Sequence, residues 1–272
     1  MISRRKFLIV AGSAAGATLL GSSQLEKVIA SAGESSSSDG SDHLWSMVID
    51  ADKCTICMNK LIEETGIENP KPPCAKACDK ENNVPEFERK EIDPQWFKMV
   101  WVRNELEGSE RIWIPVICNH CRTAPCTQVC PTNATFKRDD GIVMVDYHRC
   151  IGCRYCMIAC PYNARNFNFK DPLEGLDNLN PGTPRRVEGV VEKCHFCVHR
   201  VDRALQLGQE PLPACVEACQ VRSEELGFDG PSLVFGNLND PNSEVVKIIQ
   251  TERTNRLRQS LGTEPKVYYT NF

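Results

Sequence analysis

Short apolar runs alternate with longer polar stretches along this chain of 272 residues. Three of the runs are rich in β-branched and other large apolar residues and predict short strands at residues 47–49, 113–117 and 142–145. Helices are expected directly after four cysteines: Cys74, Cys126, Cys156 and Cys215. Apolar residues are few for this length, so we expect the regular elements to be short and the core to be small.

The C-terminal part, residues 223–272, contains no cysteine and is predicted to be a helical or irregular extension. Asn242 and Ser243 are typical helix caps and Gly262 is a typical helix stop, so one helix is predicted between them. Its apolar positions are Val245, Val246, Ile248, Ile249, Leu257 and Leu261. We expect this helix to pack against the rest of the chain, and docking to a partner is the alternative.

The N-terminus combines two arginines with a mildly apolar stretch. The residues Ser3-Arg4-Arg5-Lys6-Phe7-Leu8 form a twin-arginine signal, and residues 7–21 are rich in Ala and Gly. A small-residue cleavage site, Ala30-Ser31-Ala32, closes a predicted signal peptide at 1–32, and a polar leader follows at 33–46. This pattern predicts export to the extracytoplasmic, periplasmic side; an uncleaved anchor at 7–25 is the alternative.

Charge and hydropathy restrict the partners. Residues 1–32 carry a net charge of +3, so their removal takes the chain from −4 to −7. No basic block stands out, and a nucleic-acid partner is therefore not expected. Beyond the signal there is no run of about twenty apolar residues. If the chain serves a membrane reaction, we expect another subunit to span the bilayer.

The sixteen cysteines fall into four groups with the pattern Cys-x2-Cys, a variable gap, then Cys-x3-Cys. The groups are Cys54/Cys57/Cys74/Cys78, Cys118/Cys121/Cys126/Cys130, Cys150/Cys153/Cys156/Cys160 and Cys194/Cys197/Cys215/Cys219. The third group, followed by Pro161, reproduces the bacterial ferredoxin spacing Cys-x2-Cys-x2-Cys-x3-Cys-Pro. Such thiolates predict four [4Fe-4S] clusters and much folding free energy from metal ligation.

The spacing also indicates how the groups cooperate. Cys-x2-Cys places two thiolates on a tight turn, whereas the fourth cysteine begins a helix that points away and reaches another cluster. The groups therefore pair, and four groups make two two-cluster units. Zinc sites and a disulfide framework are the alternatives. Zinc sites usually use two Cys-x2-Cys pairs, and a disulfide protein has no need of the twin-arginine route, which carries folded proteins.

Several other residues lie beside the cysteines. We expect His120 and His195 to hydrogen-bond sulfur or tune the cluster potential. Cluster charge is expected to be offset by three cations, Arg122, Arg154 and Lys193, with solvated surface as the alternative. Core or interface positions are expected for Trp45, Trp96, Trp101 and Trp113. The sequence shows no catalytic triad, phosphate loop or substrate signature, so we expect only one-electron transfer.

Four segments carry a resemblance to a known family. They are CNHCRTAPCTQVCPTNAT (118–135), CIGCRYCMIACPYNAR (150–165), CHFCVHR (194–200) and PACVEAC (213–219), and the tail at 235–269 is also similar. The chain thereby resembles the four-cluster ferredoxin-like subunits of the dimethyl sulfoxide reductase type. The resemblance implies an α+β fold of tandem bacterial-ferredoxin-like units. It also implies an electron-transfer subunit that is no enzyme on its own, its clusters strung as a wire.

The resemblance also implies how the cysteines are shared among the clusters. We call the four cysteines that would share one cluster a set, to distinguish them from the groups along the sequence. Set one is Cys54, Cys57, Cys74 and Cys219, and set two is Cys78, Cys194, Cys197 and Cys215. Set three is Cys118, Cys121, Cys126 and Cys160, and set four is Cys130, Cys150, Cys153 and Cys156. Groups one and four then form one unit, at 47–100 and 186–222, and groups two and three form the other, at 101–185.

One departure from the family is plain. The first group usually reads Cys-x2-Cys-x2-Cys-x3-Cys, but here residues 58–73 separate Cys57 from Cys74, and this insertion is a loop by composition. The family implies an integral membrane quinone-binding partner. It also implies a further redox subunit of cytochrome, heterodisulfide-reductase-like or molybdopterin type. Among its subgroups we favour the menaquinol-linked complex of sulfate reducers; a freestanding periplasmic polyferredoxin is the alternative.

Overall fold

The computed structural model describes residues 41–89, 91–103 and 111–272. Residues 41–272 form one compact unit. The predicted signal at 1–32 and most of the leader at 33–46 lie outside the described residues. The first strand begins at Trp45, so the last two residues of the predicted leader belong to the folded part instead. No helix within the described ranges is both long enough and apolar enough to cross a bilayer.

A four-stranded sheet joins the two ends of the described chain. Its strands are β1 (Trp45–Asp50), β8 (Leu233–Asn237), β9 (Thr254–Asn255) and β10 (Val267–Thr270), in the order β8-β1-β10-β9. Strand β1 runs parallel to β10, with Met47 opposite Val267, and antiparallel to β8. The extension predicted to be helical or irregular therefore supplies three of the four strands. Its alternating apolar residues are buried against β1.

The helix predicted between Ser243 and Gly262 is shorter than expected. Helix α7 covers Glu244–Thr251. Thr251 is its last residue, and the Thr251 hydroxyl donates back to the Lys247 carbonyl at 2.8 Å, a bond with which threonine weakens the continuation of a helix. The chain then enters β9, and Gly262 closes only a short 3₁₀ turn at Gln259–Leu261.

Two helices follow β1 and carry the first cysteine group. Helix α1 is Ala51–Thr65, capped by the Asp50 side chain, and helix α2 is Pro73–Glu81. The loop predicted for 58–73 is thus wrong in its first half. Met58 and Leu61 lie one turn apart and are buried, so this segment continues α1 until Gly66, which adopts φ 68°.

The middle of the chain consists of short two-stranded ladders. They are β2 (Lys98–Val102) with β3 (Ile112–Val116), β4 (Thr135–Lys137) with β5 (Val143–Val145), and β6 (Asn166–Phe167) with β7 (Val191–Glu192). Between them lie α3 (Pro125–Gln128), α4 (Tyr155–Ala159) and a 3₁₀ turn at Pro172–Gly175. The three predicted strands and the predicted short helices after the cysteines are confirmed.

Two further helices, α5 (Val198–Gln206) and α6 (Ala214–Glu225), complete the fold. Helix α6 packs against α2, and ion pairs tie α5 to both: Arg200 lies 2.9 Å from Glu81 and 2.7 Å from Glu217. Core positions are confirmed for Trp45, Trp96 and Trp113, which are buried. The side chain of the fourth tryptophan, Trp101 on β2, is 45% exposed.

Candidate electron-transfer site

Set one is built on three helices. Cys54 and Cys57 lie on α1, three residues apart on one face, and not on the predicted tight turn. Cys74 lies in the first turn of α2, and Cys219 lies on α6. All four line one cavity, with Arg222 in its wall. The insertion at 58–73 therefore does not separate Cys74 from the other members of the set.

Set two takes one further cysteine from each of α2 and α6. Cys194 and Cys197 are on a tight turn in which Cys197 adopts φ 50°, while Cys78 and Cys215 come from the two helices. The side chain of Asn82 donates to two of these sulfurs, at 3.7 Å to Cys78 and 3.6 Å to Cys197. Burial and then repulsion from the other three members raise the pKa of Cys78.

Set three is formed around another tight turn. Cys118 and Cys121 flank His120, which adopts φ 42°. Cys126 lies on α3, and Cys160 directly follows α4. Burial raises the pKa of Cys121 to about 12, and repulsion from Cys118, Cys126 and Cys160 adds to it. The turn and the two short helices thus bring together all four members of the set.

Set four is the most exposed of the sets. Cys130, Cys150, Cys153 and Cys156 line one cavity, and Cys153 is exposed to solvent. Three members come from one short segment, 150–156, and the fourth comes from the end of the preceding group. Set four therefore reaches the surface of the protein through Cys153.

Backbone N–H groups point at sulfur in set four. The N–H of Thr135 donates to Cys130 Sγ at 3.4 Å, and the N–H of Val191 donates to Cys150 Sγ at 3.5 Å. Burial opposes ionisation of Cys130, but the bond from Thr135 and its neighbours lowers the pKa of this thiol overall. Hydrogen bonds to ligand sulfur are among the features that set the potential of an iron–sulfur cluster.

Cysteines of neighbouring sets lie close enough to interact electrostatically. Repulsion from Cys74 of set one, in addition to repulsion from members of its own set, raises the pKa of Cys215. Repulsion from Cys118 of set three likewise raises the pKa of Cys194 of set two. Sets one and two are therefore adjacent, and so are sets two and three.

Sets three and four share a buried cation. The guanidinium of Arg165 interacts with the thiols of Cys126 and Cys156, one from each set. Its Nη1 donates to the Thr135 hydroxyl at 3.2 Å, and the side chain is 2% exposed. The four sets consequently follow one another in the order one, two, three, four. The role of Arg165 was not predicted, because its position five residues after Cys160 carries no signal of its own.

Neither histidine ring hydrogen-bonds to a cysteine sulfur in the described part of the chain, whereas their predicted effect on the cluster potential stays a prediction. The Nδ1 of His120 accepts from the Val143 N–H at 3.0 Å, and that of His195 accepts from the Val198 N–H at 3.2 Å. Their Nε2 atoms are buried and have no partner among the described residues. Because Nδ1 accepts, each neutral ring carries its proton on Nε2. The ring of His120 also stacks on Phe196, with centroids 3.8 Å apart.

The three cations predicted to offset cluster charge differ in their surroundings. Arg122 and Arg154 are exposed, and the Arg154 guanidinium lies over the Phe167 ring, 5.0 Å from its centroid. Lys193 is buried and donates to the carbonyls of Val143 and Cys194. Of the three, only Lys193 lies inside the protein, where a charge acts with little screening.

The cysteines are suited to bind metal and are poorly suited to remain free thiolates. The structure joins none of the sixteen in a disulfide. Burial is the largest cause that raises the pKa of Cys54, Cys74, Cys78 and Cys215, so without metal these groups hold their protons. Within the described ranges no three metal-binding side chains converge on a single ion. The cavities lined by four cysteines, and the donors aimed at sulfur, fit cubane clusters.

Family models and relatives indicate the same type of cluster. Two models of the 4Fe-4S dicluster domain match the chain, over residues 110–173 and 149–223. The chain thus contains tandem 4Fe-4S dicluster domains, and the predicted cluster type is confirmed. It belongs to the family of iron–sulfur subunits of the dimethyl sulfoxide reductase type, whose members are electron-transfer subunits rather than the catalytic subunits of their complexes.

Three relatives show how far the similarity extends. The Hdr-like menaquinol oxidoreductase iron-sulfur subunit 1 of Archaeoglobus fulgidus is 51% identical over 99% of this chain and 98% of its own. The iron-sulfur cluster-binding subunit of menaquinone reductase from Nitratidesulfovibrio vulgaris is 37% identical over 83% and 88%. A Halobacterium salinarum protein named as an iron-sulfur subunit of dimethyl sulfoxide reductase is 35% identical over 84% and 79%. The predicted family is confirmed.

Proposed function

We propose that the chain carries four [4Fe-4S] clusters, one in each set, and passes electrons along them as a wire. The observation that carries this proposal is the arrangement of all sixteen cysteines in four adjoining sets. Bound clusters supply the one-electron chemistry, and the protein supplies the ligands, the insulation and the donors that set the potentials.

The sharing of cysteines between groups is part of the same proposal. Cys219 and Cys78 exchange places between groups one and four, as Cys160 and Cys130 do between groups two and three. This exchange supports two ferredoxin-like units, at 47–100 with 186–222 and at 101–185, and an extension at 223–272. Each unit is held by two clusters that staple segments distant in the sequence.

The two ends of the wire have different surroundings, which supports a different partner at each end. At set four, three exposed apolar side chains lie within five residues of exposed Cys153 in the sequence: Ile151, Tyr155 and Ile158. At set one, Arg222 lies in the cavity wall and pairs with Glu64 at 2.8 Å. The apolar side chains beside the set-one ligands, Ile56 and Val221, are 53% and 55% exposed, against 84% for Ile158 at set four. An apolar exposed patch is typical of a permanent interface. We therefore assign set four to an integral, quinone-binding membrane subunit and set one to a further redox subunit.

The relatives narrow the class of electron donor or acceptor. Two of them are named for menaquinol and menaquinone, so we assign this chain to a menaquinol-linked membrane complex. The twin-arginine signal at 1–32 supports export to the extracytoplasmic side, after the clusters have been inserted. The reduction potentials of iron–sulfur clusters span roughly −700 to +450 mV, so the direction of electron flow depends on the partners.

Iron and acid-labile sulfide analysis of the isolated chain tests this function. We expect about sixteen irons and about sixteen sulfides per chain, as four cubane clusters require. Zinc in place of iron, or a metal-free chain whose cysteines have been oxidised to disulfides, would instead support a structural exported protein and reject the relay.

A further inference from the structure

Arg165 is a buried cation without a carboxylate partner in the described part of the chain. The other arginine that is buried among the described residues, Arg186, pairs with Glu192 at 2.5 Å. Arg165 Nη1 donates to the Thr135 hydroxyl, and the buried Nη2 has no hydrogen-bond partner among the described residues. A buried guanidinium remains charged, and an unpaired buried charge is costly. Negative charge is therefore needed close to this side chain.

The location of Arg165 shows where that negative charge comes from. Its guanidinium interacts electrostatically with Cys126 of set three and Cys156 of set four. It also donates to the Thr135 side chain, and the backbone N–H of Thr135 donates to Cys130 Sγ of set four at 3.4 Å. Each set, with four thiolates around one cluster, is anionic. The Nη2 N–H groups and the positive charge thus lie between two anionic groups. One side chain can therefore offset the negative charge of both.

We propose that Arg165 is the shared counter-charge of the clusters in sets three and four, and that it raises the reduction potential of both. This inference rests on the proposed four-cluster function. Reduction adds an electron to a cluster, and a fixed cation in a poorly screened interior stabilises the more negative, reduced form. Arg165 thereby acts on two consecutive relays at once and favours electron entry into the half of the wire that ends at exposed Cys153.

The test uses three variants of the full chain in its complex: Arg165→Gln, Arg165→Lys and, as a control, Arg154→Gln. Arg154 directly follows Cys153 in the sequence, but it is exposed and lies over Phe167. Redox titration followed by electron paramagnetic resonance gives the potentials of the individual clusters, and iron analysis gives their occupancy.

Arg165→Gln is expected to lower the potentials of two clusters, those of sets three and four. The expected loss is at least tenfold in each equilibrium constant for reduction, about 59 mV for a one-electron couple. Arg165→Lys keeps the charge and should recover most of the shift, while Arg154→Gln should change each constant by less than about threefold because solvent screens it. Unchanged potentials in an iron-loaded Arg165→Gln chain, or an equal shift in Arg154→Gln, overturn the proposal.

Cluster loss also decides the question. Loss of iron from Arg165→Gln but not from Arg165→Lys supports the counter-charge, because the charge alone then restores binding. Loss from both variants overturns it in favour of a purely steric role. A wild-type chain without iron and sulfide rejects the four-cluster function itself, whereas a loaded wild type with unshifted variants rejects only the role of Arg165.

Discussion

The amide nitrogen of Asn82 donates to the sulfur of Cys197 at 3.6 Å, although 115 residues separate the two along the chain. The same nitrogen lies 3.7 Å from the sulfur of Cys78, so one side chain contacts two members of set two. The position of Asn82 is fixed by its backbone, since its carbonyl accepts from Arg186 Nη1 at 2.7 Å. Such a donor withdraws charge from ligand sulfur and is expected to raise the potential of the bound cluster.

Replacing Asn82 tests this effect. Asn82→Leu removes the donor and leaves the backbone bond to Arg186 in place, so the set-two cluster should become harder to reduce. A hydrogen bond is worth about 0.5–1.5 kcal/mol, which corresponds to a change of roughly two- to tenfold in the equilibrium constant for reduction. Redox titration of the cluster signals measures this change in the reduction potential of the set-two cluster. Asn59→Leu, at an exposed position on α1, is the control and should leave all potentials unchanged.

The exchange of fourth cysteines predicts where a ligand substitution does its damage. Cys160→Ser should perturb the cluster held by Cys118, Cys121 and Cys126, because Cys160 lies with these residues and not with its own group. Cys130→Ser is the reciprocal variant and should perturb set four. Mössbauer and paramagnetic resonance spectra distinguish the two. Damage in Cys160→Ser that is confined to the cluster of the segment 150–156 would refute the exchange.

The buried ion pair between Arg186 and Glu192 predicts a large loss of stability. Glu192 is fully buried and accepts from Arg186, Trp96 and Asn168. Glu192→Leu leaves the Arg186 charge buried and unpaired, which costs about 3–5 kcal/mol. Denaturant unfolding followed by tryptophan fluorescence measures it. The exposed pair Lys60–Glu63 supplies the control: Glu63→Gln should cost less than about 1 kcal/mol, and an equal loss in both variants contradicts the prediction.

The apolar patch beside set four predicts the membrane-facing surface. Ile158 is 84% exposed and lies on α4, next to the set-four ligand segment. Ile158→Asp should release the chain from detergent-extracted membrane complexes without loss of iron. Leu207, 64% exposed at the end of α5, is the control, and Leu207→Asp should stay bound. The interpretation fails if Ile158→Asp remains in the complex, or if the wild-type chain is extracted as a stable, fully loaded monomer.

Local spacing was sufficient to predict the cysteine groups and the short strands near them. Cys-x2-Cys and Cys-x3-Cys act over a few residues, and β-prone runs such as 113–117 are similarly local. The pairing between groups needed the family resemblance, because spacing within a group does not say which other group lies beside it. The structure then places those same cysteines together.

The features that sequence analysis missed depend on distant contacts. Strands β8 and β10 form because β1 lies between them, and no pattern within 223–272 reveals that neighbour. The first half of 58–73 is helical because Met58 and Leu61 find a core. Asn82 and Arg165 gain their roles only when segments far apart in the sequence converge at sulfur. Local composition contains no signal for such convergence.

A quantitative reductive titration of the intact chain tests the central claim most directly. Four cubane clusters in adjoining sets should take up about four electrons per chain. The fully reduced protein should show magnetic coupling between neighbouring clusters in the order of sets one, two, three and four. Uptake of about two electrons, or four signals without any coupling between sets two and three, would contradict a continuous four-cluster wire.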